Sequence, residues 1–195
     1  MCLTIPQNSY DAFMSKYYPE MYELACKMQQ EWNEIKQGCA ESISTQGVKP
    51  NKLNKLYKQL KSVCEKPVCM TVNGQLKNNM CHQNSQFVEG IWGFERKAGY
   101  NVCACPCGAY MSFELHSVNK DANGKLVDFT TDYDGEKQKW YLPFKCKTNS
   151  QELLEHGLDE CGHIGLEKCR CGGGWNVQTN ELDVGKLEKT LRSVV

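Results

Sequence analysis

Apolar side chains recur at helical spacing between residues 19 and 37, where Met21, Leu24, Ala25, Met28, Trp32 and Ile35 share one face. Pro19 stands at the first position of that predicted helix, where a missing N–H costs nothing, and Gly38 ends it. A shorter helix precedes it in "SYDAFMSKYY", with Ser9 as the expected N-cap. A third is predicted from about Pro50 to Cys64; Leu53, Leu56, Tyr57 and Leu60 form its apolar stripe, and the lysines of "KPNKLNKLYKQLK" its wet face. The polar loop "GCAESISTQGVKP" lies between the second and third helices, and "EKPVCMTVNGQ" signals a short strand and turn.

From residue 78 the pattern changes. "NNMCHQNSQFVEGIW" reads as one helix capped by Asn78 or Asn79, which puts Cys81 in its first turn. Strand-like segments follow in "GFERK", "YNVCACPCG", "AYMSFELHSV", "KLVDFTTD" and "QKWYLPFKC", joined by short Gly, Asn and Asp turns. These elements predict an α+β fold, in which a helical N-terminal region over 1–66 packs on a core over 67–195. That core is a helix followed by an antiparallel meander and a cysteine-rich tail, and the whole reads as one compact unit.

Composition narrows the classes. A chain of 195 residues with 23 basic and 23 acidic side chains has no concentrated positive charge for phosphate binding, so no nucleic-acid partner is expected. No run approaches the ~18 apolar residues of a membrane span, and "MCLTIPQNSY" lacks the basic and apolar regions of a signal peptide. A cytoplasmic location is therefore expected. There, 13 cysteines read as reduced thiols, to be divided between burial, metal ligation and nucleophilic chemistry. Cys26 and Cys64 lie on or beside apolar helical stripes, Cys39 and Cys146 have no companion spacing, and all four read as small hydrophobes or surface thiols.

Two C-x-C-G knuckles, "CPCG" at 105–108 and "CRCG" at 169–172, supply four thiolates. Cys105, Cys107, Cys169 and Cys171 would form a closed, tetrahedral, structural Zn2+ site that pins the tail to the core. Cys103, Cys161 and His163 are substitutes for one knuckle or ligands of a second metal. The competing reading is a glycine-rich tail with incidental thiols.

The hairpin "FELHSVNKDANGKLVDFTTD" carries His116 on one arm and Asp128 on the other. A turn centred on Ala122 places them directly across from each other, a three-residue loop with a bulge at Asn123-Gly124 makes them diagonal neighbours, and a four-residue loop puts them on opposite faces. With Cys81 at a helix start, where the macrodipole favours a thiolate, three groups of complementary chemistry are in hand.

The order of a cysteine opening a helix, a histidine on a following strand and an aspartate on the next, together with "LHSVNKDANGKLVDFT", resembles the papain-like fold in its transglutaminase-like form. The likeness covers about residues 78 to 144. It implies a thiol-dependent hydrolase or acyl transferase acting on an amide-type bond of a protein or peptide-like substrate, with Cys81 as nucleophile, His116 as acid and base, and Asp128 holding the imidazole. The backbone N–H of Cys81 and a second donor such as Asn84 would stabilise the oxyanion.

Set against it is a buried cysteine, a core histidine bonded to a sheet aspartate, and no reaction; the protein is then a zinc-stabilised binding module. Other candidates rank lower. Cys2 lacks a framework for an N-terminal nucleophile, His82 beside Cys81 is expected to point elsewhere, and His156 reads as a helix C-terminal residue before Gly157.

Overall fold

The structure is a computed structural model that describes residues 3–36, 50–104, 110–131, 137–148, 150–156, 158, 161–165 and 182–193. It is a mixed α+β fold. In chain order the elements are α1 (Gln7–Tyr17), α2 (Pro19–Lys36), α3 (Pro50–Leu60), β1 (Val68–Leu76), α4 (Cys81–Trp92), β2 (Glu95–Ala104), β3 (Tyr110–Lys120), β4 (Leu126–Thr130), β5 (Gln138–Pro143), α5 (Ser150–Glu155), β6 (Cys161–Gly165) and α6 (Val184–Ser193). The chain divides into two compact units. The first is Met1–Ser42, Thr71–Arg96 and Val118–Lys137; the second is Ile43–Met70, Lys97–Ser117 and Gln138–Val195.

In the first unit, α1, α2 and α4 surround a core in which Tyr10 is the central side chain. Its ring meets Tyr22 and Phe87 edge-on, at centroid distances of 6.1 and 5.2 Å, the geometry that aromatic quadrupoles favour. The first helix begins earlier than its sequence suggests. Pro6, not Ser9, is the N-cap, and its carbonyl accepts the N–H groups of Ser9 and Tyr10.

The second helix does start at Pro19, but its predicted apolar stripe is only partly turned inward, and the side chains of Trp32 and Ile35 lie outside the described residues. Ala25 is buried and Tyr22 packs beside it, whereas Met21, Leu24 and Met28 are exposed, as is Tyr17 at the end of α1. The apolar stripe is wider than the face the unit can cover. Tyr22 takes the inner position because its hydroxyl finds Asp11 Oδ1 at 2.6 Å while its ring packs on Tyr10.

Strand pairing here departs from a simple antiparallel meander. β1 runs parallel to β4, with Thr71 opposite Val127 and Val72 opposite Asp128; the register then shifts so that Leu76 faces Thr130. Gly74 at φ +57° absorbs the extra residues, so the Asn73-Gly74 pair is a bulge within a strand rather than a turn between strands. Thr131 fastens the bulge, its Oγ1 donating to the Gly74 carbonyl and its N–H to that of Leu76.

In the second unit, β2 pairs antiparallel with β5 (Asn101 opposite Tyr141), and β3 pairs antiparallel with β6, from Tyr110 opposite Gly165 to Glu114 opposite Cys161. Alternate residues supply the core: Ala98, Tyr100 and Val102 from β2, Met111, Phe113 and Leu115 from β3, and Trp140 and Leu142 from β5. Leu53 and Leu60 of α3, Leu153 of α5, and Leu187 and Leu191 of α6 cover this face. Each such fully buried Leu or Phe contributes about 1.5–3 kcal/mol.

Candidate active site

Cys81 is the first residue of α4, half-buried, in the first unit. The preceding Asn79 is left-handed at φ +58° and does not cap the helix; Met80 occupies the N-cap and has no side-chain acceptor to offer. The helix therefore opens without a hydrogen bond from its N-cap side chain. Gly93, left-handed at φ +68°, closes the other end.

The first two turns of α4 bury polar side chains, Gln83, Asn84 and Ser85, where an ordinary amphipathic helix would bury apolar ones. Asn84 explains much of this. Its Oδ1 accepts the Tyr10 hydroxyl at 2.6 Å, and its Nδ2 donates to the Lys77 carbonyl at 2.7 Å and to Thr130 Oγ1 at 3.1 Å. Both amide hydrogens are thus engaged, so Asn84 anchors the turn that carries Cys81 and is not the oxyanion donor its position suggests. From the far end of β3, Asn119 Nδ2 donates to the Ser85 carbonyl at 2.9 Å.

Asp128 lies on β4, on which α4 packs, and is 1% exposed. Its Oδ1 accepts the Thr130 N–H at 2.9 Å, which fixes the carboxylate from within its own strand. The loop that follows β3 is of the three-residue kind with a bulge. Asp121 and Lys125 close it by a backbone bond of 2.9 Å, Gly124 is left-handed at φ +78°, and Asn119 faces Val127 while Lys120 faces Leu126. Asp121 Oδ1 accepts the N–H groups of Asn123 and Lys125 and so locks this loop length.

His116 belongs to β3 in the second unit and is 6% exposed. Its carbonyl accepts the Tyr141 hydroxyl at 3.0 Å. His82 does not point away from Cys81: its Nδ1 is 3.5 Å and its Nε2 3.8 Å from the sulfur. Neighbouring side chains on a helix usually diverge, but at the first position the backbone leading in from Met80 is not helical (φ −128°, ψ 31°), which relaxes that constraint.

No family model, curated protein or solved structure matches the chain.

The remaining thiols differ from Cys81 in setting. Cys64 is wholly buried, and burial with the nearby Cys146 pushes its thiol up to about 12; Cys146 is raised as well, chiefly by burial. Cys69 is exposed, and Cys26 and Cys103 are half-buried. The expected metal ligands Cys105, Cys107, Cys169 and Cys171 lie outside the described residues, as do Cys2 and Cys39. Cys161 and His163 lie on β6 at the register positions of Glu114 and Ser112. Among the described residues, no group of three or more His, Cys, Asp and Glu could hold a metal ion, and no helix is long and apolar enough to cross a membrane.

Sequence reasoning missed Asn84 as an anchor, together with Tyr10, Thr130, Asn119 and Tyr141. The signal was there for Asn84: "HQNSQ" interrupts the apolar pattern where α4 should be most amphipathic.

Proposed function

We propose that this protein is a thiol-dependent hydrolase or acyl transferase of papain-like or transglutaminase-like design, acting on an amide-type bond of a protein or peptide-like substrate. Cys81 is the nucleophile, His116 the general acid and base, and Asp128 the group that holds the imidazole in its useful tautomer. The observation that carries the reading is the placement of Cys81. It is a half-buried thiol at the first position of a helix with no side-chain cap, on a turn anchored by two hydrogen bonds that Asn84 donates and one that it accepts.

The hairpin adds support. Within the first unit β3 and β4 pair with Asn119 opposite Val127 and Lys120 opposite Leu126, so the strand that carries His116 and the strand that carries Asp128 are joined by the three-residue loop.

In the reaction, the Cys81 sulfur bonds to the carbonyl carbon as its proton passes to His116, and the oxyanion takes helix-start N–H groups. Collapse expels the amine with a proton from His116. Water or a second amine, deprotonated by the same imidazole, then breaks the thioester and restores the thiol. The exposed stripe of Met21, Leu24 and Met28 supports an apolar peptide partner, because Gln83 Nε2 lies 3.8 Å from the Met21 sulfur and Asn79 Nδ2 4.0 Å from that of Met28. Cys81 lies between Asn79 and Gln83 in the chain.

A second assignment of the base rests on the 3.5 Å approach of His82 to the sulfur. p-Nitrophenyl acetate separates the two. The triad requires an acetyl thioester mapped to Cys81 that His116→Ala abolishes and His82→Ala leaves in place; the opposite result assigns the base to His82, and acetylation of other cysteines alone rejects the enzyme.

Structural Zn2+ at Cys105, Cys107, Cys169 and Cys171 belongs to the same proposal. Its support is the Tyr110–Gly165 pair: Cys107 is three residues before one partner in the chain, and Cys169 four residues after the other.

A further inference from the structure

Tyr141 is a buried aromatic that does not belong to the hydrophobic cluster of the second unit. Its neighbours on β5, Trp140 and Leu142, both join that cluster, while Tyr141, fully buried, turns to the other side of the strand. Its hydroxyl lies 2.9 Å from the Lys97 carbonyl on β2 and 3.0 Å from the His116 carbonyl on β3. A phenol has one hydrogen, so the two carbonyls share it in a three-centre bond.

The ring reaches this position because residue 99 is glycine. A Cβ there would stand 2.7 Å from Tyr141 Cζ and 2.5 Å from the Leu142 carbonyl oxygen, closer than such atoms approach. Gly99 thus lets both the β5 backbone and the Tyr141 ring approach β2 closely, and the Tyr141 hydroxyl is held against the backbone of His116.

We infer that Tyr141 is a positioning residue for His116: by holding the carbonyl of that residue it sets the direction of the Cα–Cβ bond and so the reach of the imidazole. The inference rests on the catalytic reading of His116. A general base must be held within a fraction of an ångström of its working position, and a strand carbonyl tied to a side chain from another strand supplies such a constraint. Phenylalanine at 141 would fill the same space and remove the hydroxyl's bond to that carbonyl.

The test is the rate of Cys81 carboxamidomethylation by iodoacetamide, followed by mass spectrometry from pH 5 to 9, with thermal unfolding measured alongside. In the wild type an imidazole-assisted thiolate gives a labelling limb below the ordinary thiol range, and His116→Ala removes it. Tyr141→Phe should cut the rate at pH 6 at least threefold toward the His116→Ala value. Tyr100→Phe, another buried tyrosine of the second unit, should leave it unchanged.

A Tyr141→Phe protein that labels as the wild type does would overturn the inference and leave the triad standing. So would a Tyr100→Phe protein that slows equally, since the effect would then follow destabilisation. A wild-type protein without the acid limb, indifferent to His116→Ala, would overturn both the catalytic reading and this inference. If Tyr141→Phe fails to fold, fluorinated tyrosine incorporated at 141 keeps the ring and alters the donor strength of its hydroxyl; it should shift the rate at pH 6, and an unchanged rate would overturn the inference.

Discussion

Asn84→Ala tests whether the polar anchor under Cys81 is as strong as its geometry implies. The side chain is 1% exposed and makes hydrogen bonds to Tyr10, Lys77 and Thr130. A buried hydrogen bond contributes about 0.5–1.5 kcal/mol net, and an abandoned buried donor such as the Tyr10 hydroxyl costs about 1–3 kcal/mol. Together these predict a loss of about 3–5 kcal/mol, a large part of the ~5–15 kcal/mol that holds a domain together. Tyr10→Phe removes one bond and leaves Asn84 Oδ1 unpaired, for about 1–2 kcal/mol. The double variant no longer strands the hydroxyl, so its loss should fall short of the sum by about 1 kcal/mol. Urea unfolding of the four proteins, followed by circular dichroism, gives the cycle. A loss below about 1 kcal/mol for Asn84→Ala, or additivity within about 0.3 kcal/mol, would refute the anchoring account.

Two further outcomes follow from the other cysteines. Because the Cys64 thiol is pushed up to about 12 by burial, the folded state keeps its proton while an unfolded thiol loses it near its ordinary value of 9.0. Its contribution is thus intact below about pH 9 and is lost as pH rises toward 12, by up to about 4 kcal/mol. Urea midpoints should fall above pH 9, and less steeply in Cys64→Ala; buried Tyr10, also raised, adds to the fall at higher pH in both. For the proposed metal, elemental analysis of protein prepared without chelator should find about one zinc per chain. Chelation should raise hydrogen exchange in β6 and in the start of β3, which are paired strands; a metal-free preparation with unchanged exchange removes the proposal.

Much of the secondary structure was legible in the sequence because its punctuation is local. Pro19 does open α2, Asn123-Gly124 does turn the hairpin, and Cys81 does fall at the start of α4. Less was legible where packing decides. Whether Tyr22 or Met21 faces inward depends on Asp11 and Tyr10, which lie on another helix, and no window of α2 alone contains that information. Asn73-Gly74 is a turn signal by composition, yet β4 lies alongside as a parallel partner, and the same left-handed glycine becomes a bulge. Polar anchors were the hardest to see. Asn84 and Tyr10 are 74 residues apart in the chain, and only the fold brings them within 2.6 Å.

The central claim is that Cys81 is a nucleophile rather than one thiol among many, and a competition between cysteines tests it directly. Cys69 is the exposed cysteine among those described and Cys81 is half-buried, so accessibility alone ranks Cys69 first. Substoichiometric iodoacetamide at pH 6.5, with labelled peptides quantified by mass spectrometry, reads the order. Activation at the α4 start predicts that Cys81 is labelled at least tenfold faster than Cys69 in spite of its burial. Cys69 ahead of Cys81, with the remaining thiols following in order of exposure, would contradict the account and leave a binding module in its place.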